Sequence, residues 1–172
     1  AHGGYTLLGV LSHTDQSLSA LLYYTITYAL TVLGAFGVVA LVEEETGGDT
    51  LSHFAGLSRR APVPAFCMMI FMLSLAGIPP LAGFFGKFYI FSSALASTPG
   101  TPGLLWLVIL AIAMSAVSLY YYLKVLKSIY VADPPANAAP TRISALRQAV
   151  LCLIALSVVL LGCAPNLLLR WL

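Results

Sequence analysis

The sequence predicts an all-α integral membrane protein, a bundle of helices with one discontinuous transmembrane helix. Three observations predict it. Of 172 residues, 60% are hydrophobic and 8% are charged, about a third of the charge that a water-soluble domain carries. The apolar stretches are long and unbroken, which favours helices over a barrel whose strands would alternate at period two. One of those stretches, from about Pro64 to Ser97, contains no charge except Lys87. As one straight helix it would measure about 50 Å, against a hydrocarbon core of about 30 Å.

That run needs an interruption, and Gly77-Ile78-Pro79-Pro80 supplies it. Pro79 and Pro80 lack backbone donors and clash with the preceding turn, while Gly77 and Gly83 permit an unwound segment. Non-helical backbone at membrane depth is tolerated only where it is buried in protein or lines a wet cavity. Residues 64–97 are therefore expected to form a broken span, with Lys87 one to two turns past the break.

The remaining elements follow in order. His2-Gly3-Gly4-Tyr5 leads into an apolar segment ending near Ser12. It has no basic leader and no cleavage pattern, so it does not read as a signal peptide. Twelve helical residues reach about 18 Å, roughly half a span. The expectation is a helix that continues upstream, with residues 1–172 forming the C-terminal part of one longer membrane domain. His13 to Ser17 reads as a short polar turn. Residues 18–42 form the first full span, with Tyr23, Tyr24 and Tyr28 placed as an interfacial aromatic belt. Gly34-Ala35-Phe36-Gly37 allows close helix contact. Glu43 to Ala61 reads as a polar loop. Thr98 to Gly103 is a turn, residues 104–131 a span, Ala132 to Thr141 a proline-rich loop, and residues 147–169 the last span.

Orientation follows from loop charge. Arg59, Arg60, Arg142 and Arg147 share one side, with Lys124 and Lys127 close to it, and only Arg170 belongs to the other. This bias puts the loops at 43–61 and 132–147 in the cytoplasm and the C-terminus on the non-cytoplasmic side.

Lys87 leads the residues that could carry chemistry. An ammonium at bilayer depth costs at least about 2.5–3.5 kcal/mol, and ionisable groups there are functional by default. Burial changes an amine's proton affinity by several units in extreme cases, which brings proton release and recapture within reach of neutral pH. Snorkelling is a weak alternative, because apolar helix continues for about 15 Å beyond it. His2 would lie near mid-depth, where neutral imidazole can pass protons or simply be satisfied within the bundle. Ser115, Ser118 and Tyr122 share a helical face, which could hold water or hydrogen-bond to adjacent helices, and packing is the favoured reading. Lys124, about twenty residues into its span, reads first as an interfacial anchor, with a proton-relay role as the alternative. Glu43, Glu44 and Glu45 read as solvated, and His13, Asp15 and His53 as residues of polar turns. Cys67, Cys152 and Cys163 lie in apolar stretches without metal-ligand spacing and read as buried packing residues. No nucleotide loop, metal cluster or nucleophile–base set is visible, so any redox chemistry belongs to another subunit. The net charge of +2 gives no reason to expect a nucleic-acid partner.

Ser74 to Phe91, SLAGIPPLAGFFGKFYIF, closely resembles the broken helix of the antiporter-like subunits of proton-pumping NADH:quinone oxidoreductase, respiratory complex I. AHGGY at the start, LGAFGVV at 33–39 and LYYYLKV at 119–125 resemble the same family, in the right order over nearly the whole chain. Among its L, M and N branches, a lysine in GKFY after AGIPP is most similar to N. M more often has a glutamate there, and L carries a long C-terminal lateral helix, which is not expected here because the sequence stops directly after its last span.

The resemblance implies fourteen membrane helices in two inverted five-helix repeats, with this chain covering the tenth to the fourteenth. It implies Lys87 as the terminal proton-handling group of the outward half-channel, and His2 as its link to a central polar axis. The cofactors it implies (NADH, flavin, iron–sulfur clusters and quinone) belong to other subunits, and none to this chain. The implied partners are the lipid bilayer and the neighbouring membrane subunits M and K, in a bacterial inner membrane. The rival expectation is a cation/proton antiporter or a membrane subunit of a related hydrogenase complex.

Overall fold

The computed structural model describes residues 2–12, 15–97, 103–135 and 143–171, and among these there are helices and no strands. The residues beyond them include His13, Thr14, most of the turn at 98–103, part of the 132–141 loop, and Arg142. The helices are α1 (His2–Leu11), α2 (Asp15–Thr46), α3 (Leu57–Arg60), α4 (Pro62–Ala76), α5 (Ala82–Ala96), α6 (Leu105–Tyr130), α7 (Ala145–Cys163) and α8 (Asn166–Leu169). Among the described residues, three stretches are long and apolar enough to cross a membrane: Ser17–Thr46, Leu105–Tyr130 and Ala145–Cys163. The protein is integral to the membrane.

α2 is the central element, packed against α1, α4, α5 and α7. Its 32 residues span about 48 Å. They carry Glu43, Glu44 and Glu45 in the last helical turns instead of in a loop, because no glycine or proline stops the helix before Gly47. Two apolar clusters flank it. One joins α2, α4, α6 and α7 through Val38, Met68, Phe71, Ile129 and Val158. The other joins α1, α2, α5 and α6 through Tyr5, Leu8, Tyr24, Ile90, Ala94 and Val108. Tyr28 touches both. Burying these side chains contributes about 1.5–3 kcal/mol each where the alternative is water, but against lipid tails shape and close packing decide.

Residues 47–61 fold back on the end of α6. Gly56 N–H donates to the Ser128 carbonyl at 3.1 Å, and Ser128 Oγ donates to the Leu51 carbonyl at 2.6 Å. Arg59 pairs with Asp133 at 3.0 Å, and Arg147 with Glu44. The 47–61 segment, the end of α6 and the start of α7 thus gather at one end of the bundle.

α7 stops at Cys163, six residues short of the span expected from the sequence. Pro165 removes the backbone donor that would continue it, and the chain resumes only as the four-residue α8. Of the cysteines, Cys67 is buried, while Cys152 and Cys163 on α7 are exposed. That corrects the expectation that all three are buried packing residues.

Candidate functional site

The site begins at the end of α4. Gly77 takes φ +85°, its N–H donates to the Leu73 and Ser74 carbonyls, and Ile78 N–H donates to Leu73. This left-handed closure suits glycine, and it leaves the last carbonyls, Leu75 and Ala76, open at the negative end of the helix. Residues 77–81 are not helical, and the Pro79–Pro80 bond is cis. α5 then starts at Ala82, tied back to α4 by the Gly83 N–H, which donates to Ser74 Oγ at 3.1 Å.

Lys87 lies on the second turn of α5 and returns to that open end. Its Nζ donates to Leu75 O at 2.8 Å, Ala76 O at 3.1 Å and Ser115 Oγ of α6 at 2.9 Å. All three donors of the ammonium are satisfied, and the residue is 6% exposed. The Tyr5 ring of α1 lies 5.5 Å from Nζ, within cation–π range. Gly77 leaves room for this arrangement, since a Cβ there would sit 3.0 Å from Nζ and 3.2 Å from Cδ.

His2 forms the second centre. Its Nδ1 lies 2.7 Å from the Tyr24 hydroxyl of α2 and its Nε2 2.8 Å from the Tyr122 hydroxyl of α6. The imidazole stacks on Tyr28 at 4.6 Å between centroids. A hydroxyl on each ring nitrogen allows either tautomer, so a proton taken at one nitrogen can be released from the other. Between His2 and Lys87 is a void of about 10 Å³ lined by Tyr24, Thr27, Thr31 and Ser74, roughly the room that one water needs.

Two sequence-based expectations change here. Tyr23 and Tyr24 are buried instead of lying in an interfacial belt. Tyr23 donates to the Leu161 carbonyl of α7 at 2.7 Å, and Tyr24 meets His2. Ser115 and Tyr122 do more than pack helices together, for each bonds to one of the two ionisable groups. Ser118, on the same face, bonds only to its own helix at Met114 O. Lys124 stands apart, exposed, with Nζ 5.6 Å from the Tyr120 ring. Sequence reasoning missed Tyr5, Thr27, Thr31 and Ser74. Ser74 was the one with a signal, as the last hydroxyl before the glycine–proline break. Among the described residues, no group of three or more His, Cys, Asp or Glu side chains could hold a metal ion.

The family model described as "NADH:quinone oxidoreductase/Mrp antiporter, TM" matches residues 1–120. The chain belongs to this family. As a member of the NADH:quinone oxidoreductase/Mrp antiporter family, it is 57% identical over 171 residues to NADH-quinone oxidoreductase subunit N 2 of Acidobacterium capsulatum. That alignment covers 99% of this chain and 34% of the relative. It is similar to a chain of respiratory complex I from Thermus thermophilus with bound aureothin, at 32% identity and a TM-score of 0.80, covering 99% of this chain and 37% of that one. A chain of the Mrp complex from Dietzia sp. shares the fold, at 22% identity and a TM-score of 0.84, covering 96% and 38%. The chain thus spans about a third of the length of the curated relatives it matches.

Proposed function

We propose that this chain is the C-terminal part of a proton-translocating membrane subunit of an NADH:quinone oxidoreductase, of the kind named subunit N in its relatives. One observation carries the reading. A buried lysine donates all three of its N–H groups to oxygens at an interruption between two helices, and a histidine with a hydroxyl on each nitrogen lies across a water-sized void from it. α4 and α5, joined through Gly77, Pro79, Pro80 and Gly83, together make one broken crossing. Lys87 holds and releases a proton toward the outer half-channel, and His2 passes protons to it. Lys124 anchors α6 at the interface and takes no part.

The mechanism is electrostatic. Charge changes arriving along buried ionisable groups alter the proton affinity of Lys87, which alternately keeps and expels its proton. The residues here exclude bulk water, orient the amine and offer hydroxyl partners. NADH, flavin, iron–sulfur clusters and quinone act in other subunits, and the subunits M and K are the membrane neighbours. The membrane is a bacterial inner membrane, with the C-terminus on its non-cytoplasmic side.

Substituting Lys87→Ala in the full-length protein tests this. The expected result is an assembled complex that oxidises NADH and has lost proton pumping through this subunit. Normal pumping in a fully assembled complex would make Lys87 a structural residue and end the proposal. A second reading, a cation/proton antiporter, draws on the family description and the shared Mrp fold. Sodium-dependent proton exchange without a redox substrate would favour it, and co-purification with a hydrogenase module would favour a related hydrogenase complex.

A further inference from the structure

The three oxygens that receive Lys87 differ in kind. Leu75 O and Ala76 O are backbone carbonyls, which accept hydrogen bonds and have no proton to hand on. Ser115 Oγ is a hydroxyl, at once acceptor and donor. Of the three partners, it alone can take a proton on a lone pair while giving up its own. It also lies beside a further hydroxyl, because Tyr5 Oη of α1 donates to the Ala111 carbonyl at a long 3.3 Å, one turn before Ser115 on the same face of α6.

We infer, on the reading of Lys87 proposed above, that Ser115 is the group through which Lys87 exchanges its proton, with the Tyr5 hydroxyl next in line. The step balances. One Nζ–H bond breaks as an O–H bond forms on Ser115, and Ser115's original proton passes to the Tyr5 oxygen. Tyr5 in turn releases its own proton to water. No electrons move, and a neutral amine remains on Lys87. Reversing each transfer reloads it. The two carbonyls hold the amine in place throughout, so the lysine need not leave its seat to exchange a proton.

The experiment uses the intact membrane complex carrying Ser115→Ala, Ser115→Thr, Tyr5→Phe and Lys87→Ala. Assembly is read by native gel, NADH oxidation by absorbance, and pumping by vesicle acidification in H2O and in D2O. Ser115→Ala is expected to lower pumping by at least about tenfold, since a positioned proton-transfer group contributes that much or more. The solvent isotope effect should rise at the same time, because proton departure from Lys87 then limits the rate. Loss of a merely structural contact would leave the isotope effect where it was. Ser115→Thr, which keeps a hydroxyl, should stay within about twofold of the wild type. Tyr5→Phe removes a single oxygen from a packed ring, and it decides the matter if Ser115→Ala does not assemble. It should lower pumping and raise the isotope effect in the same way. Pumping and isotope effect at wild-type values in assembled Ser115→Ala or Tyr5→Phe, with Lys87→Ala inactive, would overturn the inference and leave the role of Lys87 standing. Normal pumping in Lys87→Ala would instead remove the reading on which it rests.

Discussion

Replacing Gly162 with alanine probes how the interruption between α4 and α5 is held. Gly162 is on the buried side of α7. A Cβ there would overlap the Pro80 carbonyl oxygen and lie 2.6 Å from both the Leu81 carbonyl carbon and the Ala82 nitrogen. Favourable heavy-atom contact begins at about 3.5 Å, so α7 and the segment must separate by about 1 Å. All three neighbours are backbone atoms, which cannot swing aside as a side-chain tip would. Overpacking of this kind costs about 1–3 kcal/mol. The displacement then reaches Lys87, five residues or about 7.5 Å along α5 from Ala82. Its bonds measure 2.8, 3.1 and 2.9 Å, and adding about 1 Å to any of them takes it past the useful range. Each such bond from a charged donor contributes about 1.5–3 kcal/mol. Gly162→Ala in the full-length protein should therefore lower the thermal midpoint of the complex. On the proposed function, it should also reduce protons pumped per NADH more than it reduces NADH oxidation. Gly37→Ala is the control. Its Cβ would meet only the flexible Leu151 Cδ2, at 3.1 Å, and should cost no more than about 0.5 kcal/mol. A Gly162→Ala complex with wild-type midpoint and wild-type pumping would refute the claim that α7 sets the position of the break.

Three further outcomes are expected, those read by pumping following from the proposed function. Gly77→Ala places a side chain at φ +85° and 3.0 Å from Lys87 Nζ. The left-handed backbone alone costs about 1–2 kcal/mol, so destabilisation and reduced pumping should appear together in thermal and vesicle assays. Tyr122→Phe removes the hydroxyl from His2 Nε2 and should cost about 0.5–1.5 kcal/mol; the complex should assemble, and its pumping should slow while NADH oxidation in uncoupled vesicles stays unchanged. Arg147→Ala breaks an exposed pair with Glu44, in which the side chains are 51% and 59% accessible. Such pairs contribute about 0–1 kcal/mol, so the thermal midpoint should hardly move.

Much of the bundle was legible because membrane spans announce themselves by length and apolarity, and because proline and glycine mark their ends. α4 stops where Gly77 closes it, and Lys87 was conspicuous as the one charge in a long apolar run. The hydroxyl partners were not legible. Tyr23 and Tyr24 read as interfacial because the helix was expected to begin at Leu18. α2 begins instead at Asp15, which puts Tyr24 nine residues, or about 13 Å, along it, level with His2. Ser115 and Tyr122 were seen to share a face, but which neighbours that face meets depends on how α6 crosses α1 and α5, and spacing along one helix carries no such information. The early end of α7 was readable from Pro165, whose effect the surrounding apolar residues concealed.

The fastening of the 47–61 segment to Ser128 gives α6 a fixed end, and a rod held at one end behaves as a lever. Tyr122 lies six residues from that pivot and Ser115 thirteen, about 9 Å and about 20 Å along the axis. A swing of about 5° would carry Ser115 about 1.7 Å but Tyr122 only about 0.8 Å. The lysine's contact would open while the histidine's merely stretched, so leverage alone would set the order in which the two are released.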